Sequence, residues 1–80
     1  METKDIILKY IAEEFGSNID YDTQLISGGY IDSFSMMVLL FFLEKTFKIK
    51  ILDKDIQPSN FNTVNDMSEL IEKYSNNENP

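Results

Sequence analysis

The stretch from Ser33 to Phe47 contains neither glycine nor proline, and its apolar residues recur around a helix rather than alternating along a strand. Any fold for this chain has to be built around that helix. At about 100° per residue, Met36, Leu39, Leu40, Leu43 and Phe47 gather on one side and form the expected core stripe. Ser33, Met37 and Phe41 make a separate row at i, i+4 and i+8, with Glu44 a turn further along. A helix apolar on every side has to be covered on every side. Met37, Val38 and Phe41 are therefore expected as an exposed patch, and exposed patches of this kind mark protein contacts. The longest apolar run, Met36–Leu43, is too short to span a bilayer.

The remaining elements follow from local signals. Ile6, Ile7, Tyr10, Ile11 and Phe15 recur at helical spacing, with Thr3 as the expected cap, Asp5 in the first turn and Gly16 as a stop. This predicts a helix over residues 4–15. From Ser17 to Asp32 the period is lost among turn-forming residues, and Ile19, Leu25, Ile26, Tyr30 and Ile31 stand as expected anchors of an ordered loop. Asp53-Lys54-Asp55 reads as a cap region, and Pro58 to Phe61 as one turn of helix opened by proline. Thr63 to Asp66 resembles a capping box, and Val64, Met67, Leu70, Ile71 and Tyr74 form the stripe of a last helix. The expectation is one all-α domain over residues 1–80: a four-helix bundle of three longer helices and one short one, with a long first loop. Its folded part spans about residues 4–74, and a polar tail over 75–80 is expected to fray.

Eighty residues, 42% of them hydrophobic, allow a single modest core worth about 3–5 kcal/mol. No cysteine is present to staple it, which suits a reducing compartment. Met1–Asp5 lacks the basic-then-apolar layout of a secretory signal, so a cytoplasmic location is expected, and a monomer is the simpler expectation. Fourteen acidic residues against seven basic ones give a net charge of −7, which disfavours nucleic-acid binding and favours basic protein surfaces. Asp20 and Asp22 faintly suggest a calcium loop, but Leu25 and Ile31 stand where that loop needs glycine and glutamate, and no metal site is expected.

The chain has no histidine, the side chain best suited to acid–base work near neutrality, and no cysteine to carry a thioester. A serine nucleophile needs an adjacent base, and none is evident for Ser33. The hydroxyl reads as a substrate position, and no catalytic activity is expected. A serine at the first position of a helix sits beside unpaired backbone N–H groups and the positive end of the macrodipole, where a phosphate ester is favoured. Simple capping by Asp32 or Ser33 is the alternative.

The segment Leu25–Phe34, with Gly29-Tyr30-Ile31-Asp32-Ser33-Phe34 at its core, resembles the modification motif of the acyl carrier protein family. Leu43-Glu44-Lys45-Thr46-Phe47-Lys48-Ile49-Lys50-Ile51 and Asp55–Val64 resemble two further segments of that family, in order and at the expected distances. The resemblance covers residues 4–74. It implies an acyl-carrier-like bundle in which a phosphopantetheinyl transferase moves 4'-phosphopantetheine from coenzyme A onto Ser33. Asp32 is then a contact for the transferase or its magnesium, and the second helix, through Met37, Val38, Phe41 and Glu44, is the recognition surface.

The implied partners are the transferase, an acyl- or aminoacyl-loading enzyme and downstream condensing or transfer enzymes. Family carriers of primary fatty acid synthesis stud this helix with acids, whereas this one has only Glu44 beside Lys45. That departure favours polyketide, nonribosomal peptide or aminoacyl-transfer chemistry over fatty acid synthesis. The rival reading is an unmodified acidic adaptor that binds through the same helix.

Overall fold

The computed structural model describes residues 2–77, and within them every regular element is helical. Helix α1 spans Thr3–Phe15, α2 Ser33–Phe47, α3 Pro58–Phe61 and α4 Val64–Asn77, with a 3-10 turn at Asp53–Asp55. The radius of gyration, 11.9 Å, is close to the ~12 Å of a compact chain of this length. No helix among the described residues is long and apolar enough to cross a membrane.

In α1, Ile7 and Ile11 are fully buried one turn apart, and the helix packs along α4. Thr3 is not its cap. The helix starts one residue earlier, on Glu2, whose carbonyl accepts the Asp5 and Ile6 N–H groups. Gly16 ends it with φ +137°, a value that side chains rarely adopt. Against α2, Tyr10 stacks on Phe42 with ring centroids 4.0 Å apart. In α4 the whole predicted stripe packs inward: Val64, Met67, Leu70 and Ile71 are buried and Tyr74 is half-buried. Thr63 caps it, its hydroxyl accepting from Asp66 N–H at 3.0 Å. The helix runs on through Asn77, and residues 78–80 of the expected tail lie outside the described residues.

The long loop is ordered, and Asn62 holds it. Its carbonyl accepts from Leu25 N–H at 2.6 Å, and its Oδ1 accepts from Ile26 N–H at 2.9 Å and Ser27 N–H at 3.0 Å. Asn65 adds a bond from its backbone N–H to the Tyr21 carbonyl and another from its amide to Asp22. The Tyr21 hydroxyl donates to Asp5, fastening the loop to α1. Asp20 closes a local turn on Asp22 N–H and the Thr23 hydroxyl, and these bonds hold its carboxyl below the usual value. Ile19, Leu25 and Ile31 are buried as expected of anchors, and Ile26 is half-buried. Tyr30 is not an anchor: it is 38% exposed. The backbone turns there so that Tyr30 and Ile31 both donate to the Leu25 carbonyl, which sends Ile31 inward and its neighbour out.

Candidate functional site

Two residues at the loop–helix junction are good capping types, and the structure divides the work between them. Asp32, in extended backbone, is the N-cap of α2, and its carboxylate accepts from Ser35 N–H at 2.8 Å. That bond is the main cause of a carboxyl held below the ordinary value of 3.8, so Asp32 is charged at neutral pH. Ser33 is the first residue of α2 and is exposed, and capping makes no demand on its hydroxyl. An anion esterified there meets the first-turn N–H groups and the positive end of the helix.

The two glycines before the junction have separate duties. Gly29 has φ +86° and faces open space, so conformation alone requires glycine there. At Gly28 a Cβ would lie 2.2 Å from the Gln24 carbonyl oxygen. Glycine at 28 thus lets the turn close tightly on Gln24.

Beside Ser33 opens a cleft of about 430 Å³, between the start of α2 and the segment leading into α3. Ile26, Ile31, Met36, Ile56, Pro58 and Phe61 make its lining largely apolar, and Asp32, Ser33 and Gln57 supply the polar border. Sequence reading singled out the serine but not this cleft. Its walls come from the loop, α2 and α3, and only folding brings them together.

The outer face of α2 carries Phe34, Met37, Val38 and Phe41, exposed to 74%, 70%, 42% and 63%. They stand at i, i+3, i+4 and i+7 and form one continuous row starting next to Ser33. Phe34 was missed as a member of this face, although its spacing from Met37 and Val38 was visible. The Lys45 ammonium sits 5.3 Å from the centre of the Phe41 ring. Glu44, grouped with this face in sequence, is half-buried and engaged elsewhere: its carboxylate accepts from Ile51 N–H at 2.9 Å. Its geometry is that of a clamp on the following loop. On the inner side Leu39 and Leu43 are buried, with Met36, Leu40 and Phe47 partly so.

No protein-family model matches the chain, and no curated protein matches it.

Proposed function

We propose that the chain is a carrier protein of the acyl carrier type, with a 4'-phosphopantetheine arm esterified to Ser33. One observation carries the reading: an exposed serine at the first position of α2, with capping assigned to its neighbour Asp32 and an apolar cleft alongside. The exposed hydroxyl is accessible to a transferring enzyme, and the first-turn N–H groups favour the phosphate that the transfer leaves behind. Asp32 keeps the first turn formed and contributes a carboxylate beside the acceptor oxygen. When bound, the arm supplies the thiol on which acyl or aminoacyl cargo is held as a thioester, the sulfur chemistry for which the chain has no cysteine. The lining of the cleft suits the apolar part of such a cargo. The tether raises the local concentration of cargo at successive active sites.

The apolar row Phe34–Met37–Val38–Phe41 supports recognition by hydrophobic contact with little charge steering, and this favours polyketide, nonribosomal peptide or aminoacyl-transfer partners over those of fatty acid synthesis. The same row also favours a second reading, an adaptor that docks through α2 and is never modified.

Incubation with coenzyme A and a promiscuous phosphopantetheinyl transferase separates the two. The carrier gains the mass of one phosphopantetheine, and Ser33→Ala gains none. An unchanged mass for the wild-type chain, with a control carrier fully modified in the same tube, overturns the carrier reading.

A further inference from the structure

Four of the seven lysines in this acidic chain surround one cleft of about 580 Å³. Lys48 and Lys50 follow the C-terminal end of α2, Lys54 lies in the 3-10 turn and Lys73 on α4; all four are exposed. With Asp55 they give the lining a charge of +3 within a chain of net −7, so the remainder carries −10. The acids that face them are Asp55 and Glu44, whose charges both bear on Tyr74 in the lining, so the lysines remain in excess there. Among the described residues the one ion pair is Lys54–Asp55, at 3.6 Å.

The cleft has a fixed floor. The Tyr74 hydroxyl accepts from Leu52 N–H at 2.8 Å and donates to the Asp55 carboxylate, and the Asn60 amide donates to the Asp55 carbonyl. These bonds pin the Leu52–Asp55 segment onto α4 and α3. Ile49, Leu70 and Tyr74 add apolar surface. A second observation concerns the backbone. Lys48 ends α2 in the left-handed region, φ +57° and ψ +48°, where glycine is the usual residue. A side chain in that region is strained, and Lys48 lines the cleft all the same.

We propose that this cleft binds a polyphosphorylated small molecule of the nucleoside di- or triphosphate class, at the end of α2 remote from Ser33. The volume falls within the range of small-ligand sites, about 300–1,000 Å³. Lysine ammoniums act as point charges suited to phosphate oxygens. A phosphate chain concentrates its charge within a cleft of this size, whereas an acidic peptide spreads single charges over about 3.3 Å per residue. The apolar floor meets the organic body of the ligand.

The test is a titration of the full-length ¹⁵N-labelled chain with ATP, pyrophosphate, inorganic phosphate and an oligoglutamate peptide at fixed ionic strength. ATP shifts the amides of Ile49, Leu52, Lys54 and Tyr74 and saturates. The Lys48→Gln/Lys50→Gln variant binds it about tenfold more weakly, while Lys9→Gln, an exposed lysine outside the cleft, binds as wild type. The spectrum of each variant reports its folding directly. Non-saturating shifts, equal weakening by Lys9→Gln, tighter binding of oligoglutamate, or inorganic phosphate matching ATP would each overturn the assignment.

Discussion

Asp32 and Ser33 are neighbours of similar capping ability, and the difference between them governs the chemistry available at the junction. Because hydrogen bonding lowers the Asp32 carboxyl below its ordinary value, its contribution to stability is present above the unfolded pKa and is lost as pH falls through the folded one. Acidification below the usual carboxylate range therefore loosens the first turn of α2. The Ser35 amide shift is expected to follow this titration with a midpoint below 3.8. Asp32→Asn, still a good cap, flattens that response, whereas Asp32→Ala is less stable than Asp32→Asn at neutral pH. A Ser35 amide indifferent to pH in the wild-type chain contradicts the assignment of the cap. Sequence alone left this division open, since both residue types cap helices. The outcome depends on the extended backbone of Asp32, with φ −101° and ψ −173°.

Helix α2 buries one side and presents another, and that division was largely legible. Its core stripe and its outer row are separated by periodicity alone, and burial follows the same separation at Leu39 and Leu43 within, and at Met37 and Phe41 without. The outer row contributes little to folding, so Met37→Ser/Phe41→Ser is expected to change stability by less than about 0.5 kcal/mol per site. The same variant raises the KM of a phosphopantetheinyl transferase about tenfold with kcat unchanged, if these side chains are the docking contact of a carrier. A fall in melting temperature with an unaltered KM would assign them to packing instead. Glu44 was less legible. Its spacing aligns it with the outer row, but a carboxylate long enough to reach the Ile51 N–H is diverted to the loop.

For the molecule as a whole, the helices were readable from apolar spacing, and the short α3 from a proline at its first position. The architecture of the long loop was not. It depends on Asn62, 36 residues away in sequence from the Ile26 N–H that it holds, and an asparagine after a phenylalanine carries no local sign of that role. The Ser33 cleft was hidden for the same reason. Asn62→Ala removes the side-chain acceptor of two N–H groups and is expected to cost about 1–3 kcal/mol. In a domain stabilised by about 3–5 kcal/mol this is a large fraction, and it will show as a lower urea midpoint with an unchanged m-value. Loss of less than about 0.5 kcal/mol would mean that the buried anchors Leu25 and Ile31 hold the loop unaided.

The short passage from Leu52 to Pro58 contributes to both clefts. Leu52, Lys54 and Asp55 face the lysine-rimmed one, and Ile56, Gln57 and Pro58 face the one beside Ser33. One short stretch of chain thus supplies lining to both hollows, and a substitution that redirects its backbone bears on each of them.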